Sequence, residues 1–183
     1  MVFARAKLVL EDNCFEEEPS TMTIKLEGPH VQRMYKVAYE MIKSVFNVTD
    51  SDVQETQVKI SKTEHGDKYD VVWWLHKDMD VFSYFYISFK FKAQGDLKSG
   101  SLTMAVKGLL RSEYPQDTVW QRSLIYEMLR TFWHRLFYHK KREDYAEECR
   151  HAMVIYQRKF VEYFNRLKEV APAAGGHSGN PEH

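Results

Sequence analysis

The sequence predicts an α+β domain: an antiparallel four- to six-stranded meander sheet with one N-terminal helix and a C-terminal helix pair packed on one face. Three observations predict it. Four consecutive segments between Thr56 and Arg111 carry strand patterns joined by short polar connections, which favours antiparallel neighbours. A stretch of helical periodicity precedes them, and beyond Tyr114 the periodicity is helical throughout. The strands also set apolar residues against lysines, and such a sheet needs helices on its apolar side only.

The first strand-like patterns are Phe3 to Leu10 and Thr21 to Leu26, separated by the acidic turn Glu16-Glu17-Glu18-Pro19-Ser20. Gly28-Pro29 stops the second. From Val31 to Phe46 the apolar residues Val31, Met34, Tyr35, Ala38, Met41, Ile42 and Val45 recur at helical spacing. Thr56 to Lys62 alternates in polarity, Tyr69 to His76 is a continuous aromatic and β-branched run, and Val81 to Lys92 alternates again. In the last strand Leu102, Met104, Val106 and Leu110 alternate with Thr103, Lys107 and Arg111. The polar face should then carry Lys59, Lys90, Lys92, Lys107 and Arg111.

Tyr114-Pro115 ends that strand, and Asp117 or Thr118 can cap a helix over Val119 to His139. Its apolar arc (Trp120, Leu124, Ile125, Met128, Leu129, Phe132, Trp133, Leu136, Phe137) is wide enough to meet two partners, the sheet and a second helix. From Glu143 onward Ala146, Cys149, Met153, Tyr156, Phe160, Tyr163 and Leu167 form an alternating three-four seam. The short connection His139-Lys140-Lys141-Arg142 predicts that the two helices make an antiparallel hairpin. The expected layout is one domain over 1–170 and a Pro/Gly/Ala/Ser-rich disordered tail over 171–183. At the level of topology alone this order is similar to helix-grip ligand-binding folds and to meander domains of chaperone regulators, though no family motif accompanies it. A helix-grip fold implies a cavity between the sheet and the long C-terminal helix.

The 26 Lys and Arg offset 26 Asp and Glu, which excludes a generic polyanion binder. The zero conceals a polarity: residues 1–30 carry three basic against six acidic side chains, whereas 116–168 carry 11 against seven. No stretch of 18 apolar residues predicts a membrane span, and no apolar segment marks a leader at the start. Cys14 and Cys149 read as two unrelated reduced thiols, and the expected location is cytoplasmic. Asn47-Val48-Thr49 matches the glycosylation pattern, relevant only to a secreted chain.

Chemical signatures are sparse. No Gly-rich phosphate loop, nucleophile elbow or zinc-like spacing is found, so no catalytic residue, cofactor or metal is assigned. His76-Lys77-Asp78-Met79-Asp80 reads as a polar hairpin turn. Trp73 and Trp74, adjacent on a strand, point to opposite faces, so one belongs to the core and the other to the polar face. Trp74, Phe82, Tyr84 and Tyr86 among Lys90 and Lys107 then make a candidate binding surface. The expected function is a non-enzymatic binding or adaptor protein that presents this aromatic and basic surface to a protein partner, or to another copy of itself. One alternative is a small-molecule carrier or enzyme with an apolar pocket under the C-terminal helices, near Tyr114, Trp120, Arg122 and His134. A second, less favoured, is RNA binding through the basic sheet face.

Overall fold

A computed structural model describes residues 9–15, 20–63, 66–114 and 118–170. Its strands are β1 (Val9–Asn13), β2 (Met22–Glu27), β3 (Val53–Thr63), β4 (Gly66–Asp78), β5 (Ser83–Gly95) and β6 (Gly100–Glu113). Its helices are α1 (Met34–Phe46), α2 (Leu124–Trp133) and α3 (His139–Val170). The strands form one antiparallel sheet in which β3, β4, β5 and β6 are successive neighbours. Both β1 and β2 pair with the far edge of β6, the first with its C-terminal half and the second with its N-terminal half. The α+β architecture is therefore as the patterning predicts. The expected strand from Phe3 meets the described residues only at Val9 and Leu10, and the strand there runs on to Asn13. The acidic turn over 16–19 and the tail over 171–183 lie outside the described residues.

One face of the sheet is apolar because alternation along β5 (Phe85, Ile87, Phe89, Phe91) and β6 (Met104, Val106, Leu110) points those side chains the same way. α1 covers this face with Met34, Ala38, Ile42 and Phe46, one residue per turn. α3 lies beside it, burying Cys149, Met153, Tyr156, Phe160 and Phe164. Phe164 takes the place that strict three-four spacing gives to Tyr163, since a straight helix drifts from a seven-residue repeat over several turns. Aromatic rings fill the space between the layers: Phe89 meets Tyr156 at 5.2 Å and Phe46 at 5.8 Å between centroids.

Two expectations are corrected. The C-terminal helices do not fold back on each other. α2 passes through one π turn, His134–Tyr138, directly into α3, so the chain from Leu124 to Val170 is one continuous helical run. The connection His139-Lys140-Lys141-Arg142 holds neither Gly nor Pro, and these residues lie inside the first turns of α3 rather than in a loop. The two cysteines are also not separate thiols. Cys14 and Cys149 form a disulfide, both fully buried, which ties the chain after β1 to the middle of α3.

The disulfide explains a glycine in the middle of β6. A Cβ on Gly108 would stand 2.8 Å from Cys14 Sγ, 3.1 Å from Cys149 Sγ and 2.6 Å from Met153 Sδ. The bridge therefore rests directly on the sheet backbone, where Cys14 N also donates to Gly108 O at 3.0 Å. Gly108→Ala is expected to lower stability by about 1–3 kcal/mol through overpacking. Urea unfolding of the oxidised protein checks this, and unchanged stability would show that the bridge can retreat.

Candidate functional site

Three features compete. The first is the predicted aromatic surface. Trp73 is fully buried in the core and donates through Nε1 to Glu55 at 2.6 Å, while Trp74 lies half-buried on the opposite face. Trp74 stacks on Tyr86 at 4.5 Å and His76 on Tyr84 at 4.4 Å. Both are diagonal pairs across β4 and β5, because the register sets Trp74 opposite Ser88 and Tyr86 opposite His76. Lys107 stands opposite that same Ser88 and Lys90 two residues further along β5, both exposed. Acids interleave the basic side chains: Lys92 lies 4.0 Å from Asp70, and Arg111 sits between Glu11 and Glu113. Tyr84 donates to Glu113 at 2.7 Å, and burial together with this bond pushes its hydroxyl up to about 12. Phe82 does not join the patch. It packs at the end of the sheet against Tyr114 and Tyr138.

The second feature is a buried polar corner where β5 begins, β6 ends and the π turn passes. Asp80 Oδ1 accepts from the Phe82 and Ser83 amides at 2.9 and 2.8 Å, which makes the predicted polar turn. Tyr138 Oη lies 2.9 and 2.8 Å from the two Asp80 oxygens, and Lys141 Nζ lies 2.9 Å from Oδ2. Ser83 Oγ contacts both Tyr138 Oη, at 2.8 Å, and Ser112 Oγ, while Arg142 bonds Ser112 and Asp12. The direction of these bonds is fixed by the ends. Arginine only donates and an ionised carboxylate only accepts, and each hydroxyl has one proton. Arg142 therefore donates to Ser112, Ser112 to Ser83, Ser83 to Tyr138 and Tyr138 to Asp80.

Burial alone would raise the Asp80 carboxyl, but the Lys141 ammonium, the Phe82 and Ser83 amides and Tyr138 together hold it down at about 2. Beside the relay, burial and the neighbouring Arg142 and His139 lower His134, which favours its neutral imidazole. Burial raises the Tyr114 hydroxyl against the lowering effect of Arg142 and Arg130, and it hydrogen-bonds with His134 Nδ1 at 2.7 Å. Arg130, almost fully buried, lies over the Tyr114 ring at 5.5 Å. Of the residues named for a pocket, Tyr114 and His134 thus meet. Trp120 and Arg122 are exposed on a 3-10 turn, where Thr118 and Gln121 bond each other reciprocally. A cleft of about 620 Å³ opens beside His134, lined by Asp12, Asn13, His139, Arg142 and Glu143. It is not the apolar pocket expected there, since charged side chains share its lining with Leu10 and Ala146.

The third feature is α2. Arg130, His134 and Tyr138 point at the polar corner, which leaves the apolar face turned outward. Ten large apolar side chains from Val119 to Phe137 are each 54–67% exposed. The sequence marks this face as apolar, yet reading it as core depended on the hairpin. Tyr138 and Arg142 were missed as site residues, although they extend the α3 seam back by two turns of four from Ala146. Ser83 and Ser112 continue the inward alternation of β5 and β6 and stand opposite each other in register.

Comparison with known proteins finds no matching family model, no matching characterised protein and no matching solved structure. Among the described residues no group of three His, Cys, Asp or Glu side chains could hold a metal ion.

Asp80 binds a proton less readily in the folded than in the unfolded state, so its contribution is full above about pH 4 and is lost as the pH falls toward about 2. Asp80→Asn is expected to cost about 1 kcal/mol at pH 7, allowing for solvent screening. The difference from the parent should shrink between pH 4 and pH 2 in urea unfolding curves. A pH-independent difference would contradict this account.

Proposed function

We propose that the protein is a non-enzymatic binding or adaptor protein that works by docking. The observation that carries this reading is the inverted polarity of α2 and its flanking turns, which send polar side chains toward the domain and ten large apolar ones, from Val119 to Phe137, toward solvent. Isolated exposed apolar residues are ordinary, but ten large ones on one helical stretch exceed the few hundred Å² of apolar patch that a chain acting alone leaves in water. The outer sheet face, with the Trp74–Tyr86 and His76–Tyr84 stacks beside Lys90 and Lys107, offers a second and more polar surface to a macromolecular partner. Two separate surfaces suit an adaptor that is held by one and recruits with the other.

The carrier reading draws less support, because aromatic rings fill the layer between the sheet and α3 and the cleft beside His134 is lined by charge. RNA binding is weakened by the acids interleaved with the sheet-face lysines. No helix of the described residues is long and apolar enough to cross a membrane. The Cys14–Cys149 bridge supports an oxidising compartment rather than the cytoplasm, since such bonds persist there.

A photo-crosslinking residue placed at Phe132 in the native host should capture another molecule in high yield, and one at Tyr86 a distinct set. The same residue at exposed Lys59, on the edge strand, should capture little. Equal, low capture at all three positions would refute docking through either surface.

A further inference from the structure

We propose that the apolar face of α2 seats in the surface of an anionic phospholipid bilayer, with the helix lying in the plane of the headgroups. This rests on the docking reading and names what α2 docks to.

The width of the face decides against a single partner helix. Leu124, Met128, Phe132 and Leu136 form one row at four-residue spacing, and a second row beginning at Ile125 runs beside it, equally exposed. A helix seam buries a narrow stripe, so pairing α2 with a second copy would leave much of one row in water. A planar apolar medium accepts both rows together. The length fits as well: residues 124–137 span about 21 Å. That is too short to cross a hydrocarbon core of about 30 Å and sufficient to lie along its boundary.

Charge selects the kind of surface. Of the six Lys and Arg between Thr118 and Arg142, Arg130, Lys141 and Arg142 are paired with Glu127, Asp80 and Asp12, so the charge that can face a surface lies elsewhere in the stretch. Arg135 is exposed at the edge of the apolar rows and Lys140 is exposed just beyond them. Their long side chains can rest along the apolar face and reach phosphate oxygens while the rings of Phe132, Trp133 and Phe137 enter the acyl boundary. The polar side of α2 is already occupied by the domain, since Arg130 lies over the Tyr114 ring and His134, just beyond the helix, bonds the Tyr114 hydroxyl. Seating α2 in this way needs no rearrangement of the fold.

The test is flotation of the full oxidised chain with vesicles of phosphatidylcholine alone or with 30% phosphatidylserine added, together with sedimentation without lipid. We expect binding to the anionic vesicles, at least tenfold weaker binding to the neutral ones, and loss of binding as salt rises. Phe132→Glu with Phe137→Glu should abolish flotation. Arg135→Gln with Lys140→Gln should weaken it about 20-fold, near fivefold per charge. All four positions are exposed, and unchanged thermal unfolding would show that the variants still fold. Equal binding to both vesicle types would overturn the anionic assignment. Absence of flotation with self-association that Phe132→Glu abolishes would overturn the bilayer in favour of a second copy. Absence of both, with crosslinking to a protein from position 132, would overturn the bilayer while leaving docking intact. Absence of all three would remove docking through α2 as well.

Discussion

The buried relay from Arg142 to Asp80 determines where the C-terminal helix leaves the sheet, and much of the molecule's surface follows from that. Ser83 and Ser112 stand opposite each other at the end of the apolar face, where a hydroxyl without a partner would cost about 1–3 kcal/mol. Tyr138 and Arg142 satisfy them from the helix, and Asp80 ends the chain of donors with a carboxylate kept ionised by Lys141 and two amides. Removing any member strands its neighbours, so the corner is held as a unit. The π turn is the local solution to this demand. It places His134 and Tyr138, four residues apart and so on one side of the helix, at the corner without breaking the run into α3. Once those side chains point inward, the apolar rows of α2 must point outward.

The disulfide acts further along the same helix. It pins α3 to the chain after β1 and closes a loop of 135 residues, a separation over which a cross-link removes much of the unfolded chain's freedom. Gly108 lets the bridge lie against β6, and Met153 fills the space beside it. The helix is thus fastened at the corner and at the bridge, and packed through Tyr156, Phe160 and Phe164 beyond. α2 is the part that extends past the first fastening.

The layers of this fold were legible because alternation in β5 and β6 and the spacing of Met34, Ala38, Ile42 and Phe46 report burial directly. The hairpin was not, because a wide apolar arc fits contact with the protein's own core as well as contact with another molecule, and patterning does not tell an internal partner from an external one. The positive evidence for continuity was present in residues 139–142, which lack any helix breaker. The bridge was illegible for another reason: a pairing between residues 135 apart depends on how β1 and α3 meet. Gly108 alone hinted at it, since a glycine inside a buried strand often marks a close approach. The outer stacks were legible in part: adjacency assigned Trp73 and Trp74 to opposite faces, and only the register gave the diagonal partners.

Binding by α2 requires that it stay continuous with α3 and clear of the sheet. Nitroxide labels on Met128→Cys and Arg158→Cys, both exposed positions, measure this directly by pulsed electron resonance in the oxidised protein. Thirty residues of unbroken helix place them about 40–45 Å apart. A distance in that range supports the outward apolar ridge. A distance below about 20 Å, as two helices folded back on each other would give, would return the ridge to the core and contradict the account.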